Sequence, residues 1–172
     1  RGGAAAGCRP LLLALEIDAS QHLVDLQREG FHAALRYGAG PWAGLDSEQL
    51  FTPPVRKIVV GSPSAARRLA GVTAEALVRE PLLGDAKLWS RWCKVAGVQA
   101  NVVPVAVFND AGMMLQAAEQ SLGLALSREL LAADALADGR LVRLSPDTIF
   151  DEPEFTYHLV YPANLRDWAP LA

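Results

Sequence analysis

Cysteine is nearly absent from this 172-residue chain. Cys8 and Cys93 stand far apart in no CxxC spacing, which excludes a disulfide framework and suits a reducing cytoplasm. Long apolar runs are missing as well. The longest, Leu11 to Leu15, is far too short to span a bilayer, and the Gly/Ala stretch between Arg1 and Arg9 does not resemble a signal peptide. Positive charge is scattered, with Arg67–Arg68 its densest group and a formal net charge of −3, so this chain by itself offers nucleic acid no basic face. The three histidines (His22, His32, His158) fall at no metal-binding spacing. There is no GxSxG, no P-loop and no spaced GxGxxG. The sequence therefore points to no enzyme, no cofactor and no metal.

What is present is an alanine-rich α/β composition long enough to bury a core. Pro10 opens LLLALEI, an apolar run of strand length that would suit a helix equally well. Asp18 and Ser20 offer N-caps for a short helix with Leu23 and Leu26 inward, and Gly30 offers its C-terminal stop. Phe31 to Tyr37 reads as a buried strand, making a βαβ unit of the parallel kind. A glycine turn and a Trp-bearing loop follow, and the chain approaches the core again at Leu50 and Phe51.

Beyond Pro53–Pro54, Lys57 to Gly61 is a short strand, and Ser62–Pro63 is an N-cap followed by proline at the first helical position. Thr73 caps another short helix, Pro81 to Asp85 holds a brief strand, and Lys87 to Ala96 is a helix. In that helix Trp89, Trp92, Cys93 and Ala96 make one apolar stripe. Val105 to Phe108 is a strand, and Asn109–Asp110 caps a helix from Ala111 to Leu122, closed by Gly123. Met113 and Met114 read as packing. Leu124 to Leu126 is a strand, Ser127 caps a helix, and Gly139 precedes a strand over Arg140 to Leu144. Ser145 to Glu154 reads as a loop, and FTYHLVYP alternates as a strand.

Five segments follow one another in order along the chain: LRYGAGPWAGLDSEQLF, VGSP, WSRWCKVAG, VFNDAGMMLQAAEQSLGLALSRELLAADALADGRLVRL and YHLVYP. Together, over roughly Leu11 to Pro162, they resemble the regulatory domain of LysR-type transcriptional regulators, in particular the subgroup of glycine-cleavage and β-lactamase activators. The resemblance implies an α/β fold of two Rossmann-like lobes joined by crossover strands, like the type 2 periplasmic-binding proteins. Lobe I is expected over 1–60 with 157–172 and lobe II over 61–156. The first lobe is expected to lack its opening strand and helix. Such domains bind a small effector between the lobes and form homodimers or tetramers. They reach DNA only through a helix-turn-helix domain that this chain does not contain. A solute-binding transport protein is the alternative within the same fold class, and it would need a signal peptide or lipid anchor.

The candidate effector contacts divide by residue chemistry. Gly38, Ala39 and Gly40 at a strand end offer backbone N–H groups to an anion, or serve only as a tight turn. Trp42 walls the cleft or packs under its loop. Arg36 reads better as the partner of a local acid than as a carboxylate clamp. Ser62 is an N-cap that also stands near the lobe crossover. Asn109 is the better donor of its pair, because Asp110 is itself an anion at a helix N-terminus. Tyr157 is placed equally well to reach a ligand oxygen or to fill the core.

Overall fold

A computed structural model describes residues 14–168 of the chain. It divides into two compact units, one holding the described residues up to Leu50 and those from Tyr157 onward, the other running from Phe51 to Thr156.

In the second unit, Ile58, Val59 and Val60 are a continuous apolar run because β3 (Arg56–Gly61) is buried on both faces. Its alternation shares those faces out. Val59 points into a cluster with Trp89, Trp92, Leu77 and Leu126, while Ile58 and Val60 point into another with Met114, Leu115, Ala118 and Ala132. The sheet order is β4-β5-β3-β6, from β4 (Leu82–Leu83), β5 (Leu124–Arg128) and β6 (Val142–Phe150). β5 and β6 run antiparallel to β3, and only β4 pairs in parallel, with β5. The helices α2 (Pro63–Arg68), α3 (Ala74–Leu77) and α4 (Ala86–Val95) supply one core cluster, and α5 (Ala111–Glu119) with α6 (Glu129–Ala137) the other. Trp89 and Trp92 meet edge to face at 5.9 Å, and the Trp89 indole N–H donates to the Leu83 carbonyl at 2.9 Å. The expected apolar stripe is thus core. Of the two methionines, Met114 is buried but Met113 is exposed.

Several local expectations change. Residues 56–60, expected in the first lobe, belong to the second unit because β5 and β6 pair on either side of β3. Ser145 to Phe150 is not loop. β6 continues through it with a bulge opposite Ile58–Val60, where Pro146 needs no ladder donor. Ser127 lies inside β5 and caps nothing; Arg128 stands at the N-cap of α6 and its side chain does not cap the helix. Val105 to Phe108 makes only a single bridge, Leu83 to Ala106, instead of a full strand. The α5 helix stops at Glu119, and the turn is made by Ser121 at φ +65°, so Gly123 does not close it. Gly123 is instead a close approach, since a Cβ there would lie 2.5 Å from the Pro81 carbonyl.

In the first unit the sheet order is β1-β7-β2, from β1 (Ala34–Gly38), β7 (Thr156–Pro162) and β2 (Leu45–Gln49). β2 and β7 are antiparallel, Leu45 opposite Pro162 and Gln49 opposite His158. β1 is half-buried, with Leu35 exposed, so the buried strand expected from Phe31 to Tyr37 is shorter and wetter. Leu50 and Phe51 are likewise exposed. The first helix, α1, spans only Leu26–Glu29; Asp25 caps it in place of Asp18 or Ser20, and Gly30 ends it at φ +78° as expected. Leu11 to Leu13 lie outside the described residues. Leu15 and Ile17 are 75% and 86% exposed and belong to no strand, so the βαβ unit is not formed among the described residues. A strand needs a ladder partner, and β1, β2 and β7 supply none to this segment.

Candidate functional site

In the first unit most of the candidates gather around a turn. β1 ends at Gly38, and the Trp42 indole folds back over it. A Cβ at Gly40 would lie 3.3 Å from the indole, and Gly40 itself has φ +59°, so both space and backbone call for glycine there. The indole meets the His158 ring edge-on at 4.9 Å, and the Tyr157 ring lies 4.8 Å from Tyr37. Gly38 and Gly40 thus lie against the Trp42–His158 pair. Tyr157 and Tyr37 form a separate pair, because Tyr157 and His158 are successive residues of β7 and face opposite sides of the sheet. Tyr37 and His158 are residues that sequence reasoning did not select. Ala39 is exposed on the same turn. Arg36 holds no acid; its Nη2 donates to the Val24 carbonyl at 2.6 Å, a tie between β1 and the segment before α1.

An open groove of about 590 Å³ also marks this unit, lined by Leu26, Phe31, Gly44 and Leu165 among others, and none of the sequence candidates lines it.

In the second unit the register separates the two remaining candidates. β3 begins where the chain enters the unit, and Ser62 follows its far end. Asn109 lies beyond Ala106, which runs parallel to Leu83 of β4, and β4 runs parallel to β5. β5 ends at Arg128, opposite Lys57 at the start of β3. Asn109 is thus at the entry end of the sheet and Ser62 at the opposite end, with Lys57 to Gly61 spanning roughly 13 Å between them at about 3.3 Å per residue. Ser62 is buried and caps α2 by accepting from the Ala65 N–H at 3.3 Å.

The entry end carries the functional chemistry of an open α/β sheet. The N-termini of α4, α5 and α6 follow the carboxyl ends of β4, the bridge segment and β5. Helix N-termini in this position favour anionic or hydrogen-bonding ligands. Two of them are already occupied by acids. Asp85 accepts from the N–H groups of Lys87 and Leu88, and Asp110 accepts from that of Met113 at 2.8 Å. Asp110 is therefore a cap, as expected, and Asn109, exposed beside it, is the neutral polar group of the loop.

Beneath this end lies a charge cluster that the sequence did not reveal. Lys57 is buried and paired with Asp151, whose other oxygen takes the Arg128 guanidinium at 3.2 Å. Burial, and then the charges of Arg128 and Arg91, pull the Lys57 ammonium down to a pKa of about 8. Asp151 opposes that shift, but it is shared between two cations.

At the opposite end, three hydroxyls close a ring: Ser62 to Ser64 at 2.9 Å, Ser64 to Ser121 at 3.1 Å and Ser121 to Ser62 at 2.8 Å. Ser64 and Ser121 border a pocket of about 270 Å³. Arg68 and Glu80, which also line it, pair at 2.7 Å, and this holds the Glu80 carboxyl below the usual carboxylate range. Among the described residues no group of three His, Cys, Asp or Glu could hold a metal, and no helix is long and apolar enough to cross a membrane.

A three-layer second unit with helix N-termini at the carboxyl ends of its strands, together with a second, smaller sheet, defines an α/β ligand-binding domain. Residues 11–168 match the LysR substrate-binding domain family. The chain is 33% identical over 132 residues to the HTH-type transcriptional activator AmpR of Citrobacter koseri, covering 75% of this chain and 45% of that protein. It is 32% identical over 161 residues to the HTH-type transcriptional regulator TrpI of Pseudomonas aeruginosa, covering 90% and 53%. The chain thus spans about half the length of the curated relatives it matches. Among solved structures, the effector domain of the transcriptional regulator AmpR of Pseudomonas aeruginosa superposes with a TM-score of 0.66 at 29% identity, over 82% of this chain and 67% of that one. The chain belongs to the LysR substrate-binding domain family, the effector-binding part of LysR-type transcriptional regulators, with their type 2 periplasmic-binding-protein-like fold. A solute-binding transport protein is not favoured, since the relatives are transcriptional regulators.

Proposed function

We propose that the chain senses a small-molecule effector and passes the binding energy to a helix-turn-helix domain outside these residues, in a cytoplasmic protein that works as a homodimer or tetramer. The observation that carries this reading is the family match along 11–168. Within the family we place the chain with the glycine-cleavage and β-lactamase activators, on the segments quoted above. The mechanism is a population shift: an effector that binds one arrangement of the regulator more tightly biases how the assembly holds DNA. The protein acts by binding and not by catalysis.

Gly38, Ala39, Gly40, Trp42 and Tyr157 of the first unit, with Asn109 and Ser62 of the second, are the proposed contacts. Asn109 is supported by its place among the helix N-termini, and Trp42 by its position over the glycine turn. Ser62 has the weakest support, because its hydroxyl is engaged at the opposite end of the sheet. A thermal-shift panel of small metabolites on the purified chain tests the proposal. A true effector at about one hundred times its dissociation constant adds about 2.7 kcal/mol of stability. Asn109→Ala and Tyr157→Phe should each reduce that shift, and a shift untouched by both would place the effector elsewhere.

A further inference from the structure

The pocket beside the serine ring is a second site, lined by none of the proposed effector contacts although Ser62 belongs to the ring, and its lining specifies a ligand. We propose that it binds a small neutral polyol of about pentose size. The site lies within the second unit, at the end of β3 away from Asn109, and is lined by Ser64, Ser121 and the Arg68–Glu80 pair together with apolar Ala65 and Leu124.

The hydroxyl ring fixes which groups remain open. Each serine has one O–H to give and two lone pairs to offer. Ser121 donates to Ser62, so the closed ring has Ser62 donating to Ser64 and Ser64 to Ser121. Ser62 also accepts the Ala65 N–H, which uses up its capacity. Ser64 and Ser121, the two that border the pocket, each keep one acceptor position in the ring. In the same lining Glu80 offers further acceptor capacity, and Arg68 has N–H donors beyond the one it gives Glu80. The wall is thus rich in acceptors, with one set of donors, and carries no net charge.

That pattern discriminates among ligand classes. An anion would gain Arg68 but meet the Glu80 carboxylate, and a cation would gain Glu80 but meet the guanidinium. A ligand of either charge must also compete with an existing ion pair. A neutral molecule with several hydroxyls can donate to Ser64, Ser121 and Glu80, accept from Arg68, and leave the pair intact. The volume of about 270 Å³ falls just under the range typical of drug-sized sites, which limits the ligand to a few carbons. The apolar lining at Ala65 and Leu124 suits the C–H face of such a molecule.

The test is saturation-transfer NMR with D-xylose on the 172-residue chain, with glycine and inorganic phosphate as zwitterionic and anionic controls. Saturable xylose binding is expected, weakened about five- to tenfold by Ser64→Ala and by Glu80→Gln, as the loss of one hydrogen bond to a ligand implies. Matching circular dichroism spectra show that each variant is folded. Asn109→Ala should leave xylose binding unchanged, which separates this site from the effector reading: either can fail while the other stands. The proposal is overturned if xylose shows no saturable binding, if both pocket variants bind it as the parent does, if Asn109→Ala abolishes it, or if glycine or phosphate binds in its place.

Discussion

Lys57 is the residue whose behaviour the structure explains most sharply. Its ammonium is buried against Asp151, and burial outweighs pairing, so its folded pKa is about 8 against an ordinary value of 10.5. The unfolded chain then holds more protons between those two values, and stability contributed by this group rises with pH across that window. Below pH 8 both states are charged and the folded chain carries the full cost of the buried cation. Other groups titrate in the alkaline range, including Cys93, whose thiol is pushed up by burial and acts in the opposite direction. The difference between parent and Lys57→Met isolates the lysine: in urea titrations at successive pH values, parent stability should gain on that of the variant from pH 8 to 10.5. A constant difference would contradict the assignment. Asp151→Asn leaves two cations without their shared anion and should cost about 3 kcal/mol at pH 7.

At this scale the legible residues were those with purely local jobs. Ser62, Asp110 and Gly30 cap helices as their types and neighbours suggest, because a cap depends on three or four residues of backbone. Lys57 was unreadable for the converse reason. A lysine at the start of an apolar strand is as readily solvated as buried, and only the distant Asp151 and Arg128 decide the matter. Ser64 and Ser121 were hidden in the same way, being 57 positions apart in sequence.

Among the elements, α4 was readable from its Trp89–Trp92–Cys93 spacing, and β3 from its apolar run. β2 was not. LDSEQ has no apolar alternation, and it is a strand because its polar side chains find partners near β7: Glu48 accepts from the Tyr161 hydroxyl at 2.6 Å, and Asp46 pairs with Arg166 at 2.8 Å. β6 was read short because Pro146 signals a loop to any local rule, whereas an edge strand accommodates it in a bulge anchored by Arg143. Two substitutions test the packing. Trp89→Phe removes the N–H bond to Leu83 along with part of a fully buried ring, and should cost about 2 kcal/mol, seen as a lower urea midpoint at unchanged slope. Gly123→Ala drives a methyl group against the Pro81 carbonyl where β4 and β5 begin, and should cost about 2 kcal/mol in the same assay. A neutral result would mean that the close approach relaxes freely.

For the whole molecule, the sequence carried the family and its α/β class because many short segments occur in a fixed order. The βαβ unit expected up to Tyr37 is not formed among the described residues, and the antiparallel neighbours that flank β3 on both sides follow from no local pattern. Of the candidate residues, the glycine turn lies against Trp42, Trp42 and Tyr157 pack with separate partners, and Ser62 and Asn109 end up at opposite ends of one sheet, an arrangement that no local pattern could show. The central claim is that this domain serves a DNA-binding regulator, and the most direct check is the intact mass and terminal sequence of the polypeptide expressed from its natural gene. The account expects a mass well above the 18.4 kDa of these residues, with the excess carrying a helix-turn-helix ahead of them. A mass equal to this chain alone, or an excess that is a secretion signal, would contradict it.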